Sequence, residues 1–538
     1  MSKKLGIVAL LLFLLCGAAG GYLLWMIHNG NKTSPYFLAS YEQYVTVRTK
    51  EGDLLNLPRG TMLEIRDKDV TIDDVVYKEF EYNENLYYTT EDVLRESRKD
   101  CVLEEVVYAL RDHVLTADYD TYKIAGFVYK GQELTVDSYH ELKQDGLVDY
   151  YLVDGTGYIS SEYASIGYYE TAYDSSVYAD VYYKDGGDPT LIDYYPKEEL
   201  SFDGMPEIVK ALYINAEAVE NVDSYLALAR GSSINAFVVD IKDCYVDTQL
   251  GYDSPVARSY APSTSNIPNT FSDYQEAMRK IKDEGYYLIG RITAFKDDAF
   301  ASDNPEEALL YNDSLYTYGF VRWPSIYSLK MWEYNVALAL EAAEEMGFDE
   351  IQFDYVRLPE DVEDVNLRNK LNETRSQAIT NFLRYAAEYL HKKGVYVSAD
   401  VFGETSGSDA STFSAFVAYY GQFWPAISNA VDAISSMPYP DHFAAYSYGI
   451  AQPWIDAGEL MYAWGRATYH AQENTYDPAK CRTWIMAQNS DPYEVTYGAD
   501  KVLDQLDGLK RADVYDGFLT WNAASSLSKY EQYIDVLD

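Results

Sequence analysis

Along the C-terminal two thirds of the chain, short apolar segments alternate with longer stretches whose apolar residues recur at helical spacing. Eight of the short segments have strand length: Ala211 to Ala216, Ala236 to Ile241, Tyr287 to Thr293, Ile351 to Val356, Val395 to Val401, Ala433 to Met437, Thr483 to Ala487 and Gly517 to Trp521. Helices are expected between them, including Phe271 to Lys282, Met331 to Met346, Thr374 to Lys392 and Ala499 to Leu509. Regular alternation of this kind predicts an α/β protein with a (β/α)8 TIM barrel over residues 205–538, its strands filled with apolar side chains. The preceding texture differs. Residues 35–100 and 101–165 carry short alternating runs broken by turn signals such as Glu51-Gly52-Asp53, Pro58-Arg59-Gly60, Lys130-Gly131 and Asp154-Gly155, which predict two small all-β domains. Residues 166–204, rich in Tyr, Asp and Gly, read as a linker packed on the barrel.

The chain opens with Lys3 and Lys4, then runs from Leu5 to Ile27 without a charge, long enough to span a bilayer with the amino terminus inside. Residues 1–34 are therefore expected to form an N-terminal transmembrane helix and a short linker, placing the later domains outside the cell; a cleaved signal peptide is the alternative. Leu15 before Cys16 is too large for a lipoprotein site. The other cysteines, Cys101, Cys244 and Cys481, are scattered, and the last two map to opposite ends of the barrel, so no disulfide is expected between them. With 86 acidic against 43 basic residues the formal charge is −43, which excludes nucleic acid as a partner and favours a neutral or cationic glycan over an anionic one.

Candidate chemistry gathers where the strands end, the face on which barrel enzymes carry their sites. The run Gly347-Phe-Asp-Glu-Ile-Gln-Phe-Asp354-Tyr355-Val-Arg357-Leu-Pro359 is a strand closing in a carboxylate, an aromatic, a cation and a proline. Other strands end near Asn215, Asp240 with Lys242 and Asp243, Arg291, Asp400, Tyr439 with His442, Gln488, and Trp521 with Asn522. Polar loops alone would not single out one end of each strand. Six histidines show no HExxH or paired spacing, and no GxSxG or Walker loop is present, so neither a metal nor a cofactor is expected. Asp297, Asp298 and Asp303 lack a regular calcium spacing and read as a solvated acidic loop. The 55 Tyr and 8 Trp suit sugar stacking, with Trp323, Trp424, Trp454 and Trp521 near the active face, although Tyr is equally abundant in the N-terminal region.

Several of these motifs together resemble the glycoside hydrolase domain family of bacterial cell-envelope proteins, a TIM-barrel family. The resemblance covers residues 205 to 525 and rests on Tyr213-Ile-Asn215, Val239-Asp240-Ile-Lys242-Asp243, Arg291-Ile-Thr-Ala-Phe295-Lys296-Asp297, Trp332-Glu-Tyr334-Asn335, the run ending at Arg357, Ser398-Ala-Asp400-Val-Phe402-Gly403 and Trp521-Asn522-Ala. Leu358 stands where that pattern expects Phe. Earlier in the chain, the runs Leu57-Pro-Arg-Gly60-Thr-Met-Leu63-Glu-Ile65 and Val128-Tyr-Lys-Gly131-Gln-Glu-Leu134-Thr-Val136 resemble the middle of bacterial SH3-like barrels, modules that bind wall peptides or glycans or serve as spacers.

Glycoside hydrolysis needs one carboxyl group to protonate the leaving oxygen and a second to act as nucleophile or base. Asp354 is the candidate nucleophile and Asp400 the candidate acid, because both end successive predicted strands; Glu404 is a rival acid and Asp240 a third candidate. Asn215, Lys242, Arg291, Lys296, Tyr355, Arg357, Tyr439, His442, Gln488, Trp521 and Asn522 are expected to bind substrate. Two classes stay open: a membrane-anchored, metal-independent hydrolase of an envelope or extracellular polysaccharide, or a non-catalytic glycan- or wall-binding protein on the same scaffold. In the second, Asp354 would be held in an ion pair with no carboxylate facing it.

Overall fold

The computed structural model describes residues 32–167, 192–407, 419–490 and 492–537. The membrane anchor expected at the amino terminus falls on residues 1–31, outside the described residues, as does the centre of the expected linker, 168–191. Among the described residues no helix is long and apolar enough to cross a membrane. The chain divides into an N-terminal unit and a larger unit that contains the barrel, with the division near residue 169.

The N-terminal unit holds two seven-stranded antiparallel sheets. In the first, the strands run in space as Leu54–Pro58, Tyr44–Arg48, Asn85–Thr89, Val75–Tyr82, Met62–Ile72, Thr33–Leu38 and Leu94–Arg95. The second runs as Ile124–Val128, His113–Thr116, Gly157–Ser160, Tyr150–Val153, Glu133–Tyr139, Val106–Ala109 and Ala164–Ser165. Numbered within each sheet by chain position, both read 3-2-6-5-4-1-7. Each strand pair turns on equivalent glycines, Gly60 at φ +78° and Gly131 at φ +77°. Arg59 joins the sheets: it is buried, its Nε donates to Gly146 O (2.7 Å), and its guanidinium pairs with Glu104 at 2.5 Å.

In the second unit eight parallel strands close into a barrel: β1 (Val209–Ile214), β2 (Ala236–Cys244), β3 (Tyr287–Thr293), β4 (Glu350–Asp354), β5 (Tyr396–Phe402), β6 (Ala433–Met437), β7 (Lys480–Met486) and β8 (Gly517–Trp521). β1 pairs with both β2 and β8, which completes the closure. All eight strands expected from the apolar pattern form. Helices α1 (Val222–Ala229), α2 (Phe271–Asp283), α3 (Leu329–Met346), α4 (Arg375–His391), α5 (Trp424–Ala430), α6 (Ala457–Glu473) and α7 (Ala499–Arg511) follow the first seven strands in turn.

Local sequence sets the geometry around β4. Ser328 caps α3 by accepting from Met331 N, and Gly347, in the left-handed conformation that favours glycine, ends it and delivers the chain into the strand. Thr374 and Gln377 form a reciprocal capping box that starts α4. Ile351 and Phe353 point outward, and Phe353 meets Phe382 of α4 edge-on at 5.2 Å. Glu350, Gln352 and Asp354 point inward.

The interior is thus more polar than the apolar filling expected. At its base Glu350 takes two hydrogen bonds from Arg482 Nη1 (2.7 and 2.9 Å) and one from Tyr287 (2.9 Å). Midway Gln352 donates to Ser435 (3.1 Å). At the top stand Asp354, Arg291, Asp240 and Asp400.

Candidate active site

β4 and β5 are neighbours, and their register pairs Phe353 with Ala399. Asp354 and Asp400 therefore come next on adjacent strands, facing the same interior with backbones ~4.8 Å apart. Asp354 Oδ2 accepts from Arg291 Nη2 (2.6 Å) and Nε (3.1 Å), and its Oδ1 accepts from Tyr355 N (2.6 Å). Arg291 also reaches Asp240 Oδ1 (2.8 Å) and Asp243 (3.4 Å). The same guanidinium thus ties β2, β3 and β4 together at the exit.

Asp400 is enclosed. Trp484 Nε1 donates to its Oδ1 (2.8 Å), while Oδ2 is buried without a hydrogen-bond partner. Burial, and then the adjacent Asp354 carboxylate, hold the Asp400 carboxyl well above the usual carboxylate range. A protonated Oδ2 suits an oxygen that has no donor aimed at it. Burial likewise pushes Asp240 up to about 7 against the pull of Arg291, and raises Glu404, which is only half-buried. The Tyr439 phenol is held well above its ordinary value by burial and by Asp400 and Asp354, so it stays a neutral hydroxyl beside the pair.

The structure brings Asp240, Arg291, Asp354, Asp400, Tyr439 and Trp521 together. Trp521 lies 5.9 Å from the Arg291 guanidinium and stacks at 6.0 Å on Tyr439. Lys296, Tyr355 and Arg357 form the adjoining rim: both cations lie over the Tyr355 ring, at 4.6 and 4.8 Å. Glu404 lies close enough to act electrostatically on Tyr420, whose ring is 5.7 Å from Arg357.

Other expected contacts are not assembled here. Lys242 is fully enclosed, its ammonium bonded to Asp297 Oδ2 (2.8 Å) and Asn335 Oδ1 (3.0 Å). A register shift between Asp240 and Lys242 is the reason: the extra residue sends Asp240 inward and Lys242 toward the helices. Asn215 and Gln488 spend their amides on the loop after β8, on Ala523 O (2.9 Å) and Ala523 N (2.8 Å). Asn522 is buried and donates to Ser526 O (3.3 Å). Asn215 thereby fastens the β1/β8 seam and Gln488 the β7/β8 seam, while Asn522 braces the loop after β8. His442 is exposed, 3.9 Å from Asp441.

Tyr213 and Trp484, which orient Asp240 and Asp400, escaped sequence reasoning. Period-two alternation back from Asn215 and Gln488 would have put both on the inner face. The acidic loop is not simply solvated: Asp297 is buried against Lys242, Asp298 pairs with Arg322 (2.8 Å), and Asp303 accepts from Ser263 N (2.8 Å). Leu358 is buried in the place expected for Phe. Among the described residues, His140, Glu141 and Asp149 of the N-terminal unit have ligand atoms within 4.8 Å of one another. All remain occupied with local contacts, Asp149 accepting from the His140 ring (2.6 Å) and from Glu141 N (2.7 Å).

Residues 211–527, more than half of the chain, match the protein family described as "Putative glycosyl hydrolase domain". The chain belongs to that family. Its members' label and the carboxylate-rich exit of this barrel point to glycan chemistry. Among solved structures, a hypothetical protein from Ruminiclostridium thermocellum ATCC 27405 is 34% identical over 35% of this chain and 97% of its own, with a TM-score of 0.31. The PgaB (BpsB) glycoside hydrolase domain from Bordetella bronchiseptica is 11% identical over 59% of this chain and 95% of its own, with a TM-score of 0.45. The Bacillus cereus spore cortex-lytic enzyme SleL is 11% identical over 64% and 75%, with a TM-score of 0.36. No curated protein matches the chain.

Proposed function

We propose that the protein is a glycoside hydrolase that acts through Asp354 and a protonated carboxyl beside it. The observation that carries this reading is the adjacent pair: one carboxylate ion-paired to Arg291 at the barrel exit, the other enclosed, its carboxyl raised well above the usual range by burial, and lacking a partner at Oδ2. A divided pair of this kind meets the need for one acid and one nucleophile or base. The ion pair to Arg291 does not disable Asp354, because a carboxylate has about four lone-pair directions and three are engaged. Asp400 is the proposed acid by protonation, and Glu404 is its rival by access.

Neighbouring strands at matched register favour a short separation of the two carboxyls, the arrangement that accompanies retention of configuration, so retention is the proposed outcome. No step in this scheme uses a metal. The uncharged run from Leu5 to Ile27 supports an anchored, extracellular enzyme acting on an envelope or extracellular polysaccharide. The paired sheets of the N-terminal unit are proposed as SH3-like modules that hold wall glycan or peptide.

The test is turnover of envelope polysaccharides and of matched aryl glycosides by the full chain and by Asp354→Asn, Asp400→Asn and Glu404→Gln. The acid variant should lose polysaccharide cleavage and keep turnover of an aryl glycoside whose leaving group needs no proton. Glycan binding without cleavage in every protein would favour the binding-only reading.

A further inference from the structure

Two cations at the rim lack carboxylate partners in a chain with twice as many acids as bases. Arg357 follows Asp354 by three residues, and Lys296 stands in the loop after β3. Among the described residues neither forms an ion pair. Arg357 donates once, from Nη1 to Leu358 O (3.0 Å), and Lys296 reaches only the Tyr355 hydroxyl (3.4 Å). Of the nearby carboxylates, Asp354 and Asp243 pair with Arg291 and Asp297 with Lys242, Glu360 accepts from the Tyr318 hydroxyl (2.8 Å), and Glu404, near Tyr420, forms no ion pair with either cation.

The setting is built rather than incidental. Four rings surround the Arg357 guanidinium: Phe402 at 4.5 Å, Tyr355 at 4.8 Å, Trp323 at 5.6 Å and Tyr420 at 5.7 Å. Rings hold a guanidinium by its faces and leave its N–H edge directed outward, the geometry that receives a carboxylate or phosphoryl group. Tyr355 lies between the two cations in a left-handed backbone conformation (φ +51°), unusual for a bulky side chain. Two hydrogen bonds from the loop after β3, Ala294 N to Asp354 O (2.7 Å) and Phe295 N to Tyr355 O (3.2 Å), pin that turn. Strain that surroundings hold in place beside a candidate nucleophile marks a positioned group.

We propose that Arg357 and Lys296 form a subsite for an anionic substituent of the glycan, a carboxylate or phosphoryl group, next to the bond that Asp354 and its partner act on. This names the substrate class within the hydrolase reading and rests on it for the location of the cleaved bond. It reverses, locally, the preference that net charge alone implies. A negative patch repels an acidic polymer until two uncompensated cations give it one place to land.

The test uses ligand-observed NMR on the full chain with four probes: D-glucuronate, its methyl ester, D-glucose 6-phosphate and D-glucosamine. At least one anionic sugar should bind about tenfold or more tightly than the methyl ester, the worth of one charge-assisted hydrogen bond. Glucuronate against glucose 6-phosphate decides which anion is taken. The advantage should shrink with added salt, disappear in Arg357→Gln with Lys296→Gln, and weaken without vanishing in Arg357→Lys, which keeps the charge and loses the planar fork. Equal binding of ester and acid, tighter binding of glucosamine, no binding of any probe, or selectivity that persists in the double variant would overturn the proposal. Binding needs no turnover, so anion selectivity without cleavage faults the hydrolase reading alone. Cleavage of uncharged glycan without anion selectivity faults the subsite alone.

Discussion

β4 carries an arginine–carboxylate pair at each end, and the two pairs do different work. At the base, Glu350 and Arg482 are both wholly inaccessible, and Glu350 is saturated by Arg482, Tyr287 and Ser398. At the exit, Asp354 and Arg291 retain 8% and 3% exposure, and the neighbouring strand brings a second carboxyl alongside Asp354. Pairing with arginine therefore does not separate a structural carboxylate from a reactive one. The neighbour decides: Ser398 completes the hydrogen bonding of Glu350, whereas Asp400, two residues further along β5, keeps a buried oxygen to which no group among the described residues donates.

This contrast sets the expected results. Asp354→Asn or Asp400→Asn should lower kcat by about 10²- to 10⁴-fold, read on the cleaved glycan, while thermal unfolding stays close to that of the parent. Glu350→Gln should do the opposite. It strands a buried guanidinium at a cost of about 3–5 kcal/mol, seen in denaturant melts, and the folded fraction should keep its kcat. If Glu350→Gln abolished turnover at unchanged stability, the distinction between the two ends would collapse.

Smaller effects sharpen the same comparison. Asp240 rises to about 7 in the folded protein from an ordinary value of 3.8. Between those values the folded state holds a proton that the unfolded chain has released. Stability from this group is therefore full below the ordinary value and lost as pH rises through 7. Melting temperature should fall from pH 5 to 8, less steeply in Asp240→Asn, with Asp400 contributing in the same direction. Trp484→Phe removes a donor that lowers the Asp400 carboxyl, so the alkaline limb of activity should move to higher pH.

Much of the barrel was legible because its outward-facing residues follow the rule. Ile351 and Phe353 of β4 meet the helices, and the apolar rhythm finds each strand. The inner face broke the expectation, because Ser398 and Arg482 satisfy Glu350 across strands and Gln352 donates to Ser435, relations that only three-dimensional register reveals. The exit residues divided for local reasons. Asp354 and Asp400 stayed on the inner face because β4 and β5 pair without interruption there. Lys242 left it through a one-residue register shift that no composition signals. Asn215 and Gln488 were drawn into holding the loop after β8 from its two sides and Asn522 into bracing it, demands that arise only once β8 lies between β7 and β1.

Each of the two N-terminal sheets is one copy of the same strand order, and the two copies differ at a position that joins them. Arg59 of the first copy corresponds to Lys130 of the second, each just before its turn glycine. Arg59 locks into Glu104 and Gly146 of the following copy, where Gly146 leaves no room for a Cβ atom against Gln43 O. Excising either copy would strand a charge that the other neutralises. The two sheets must therefore be truncated or transplanted as one.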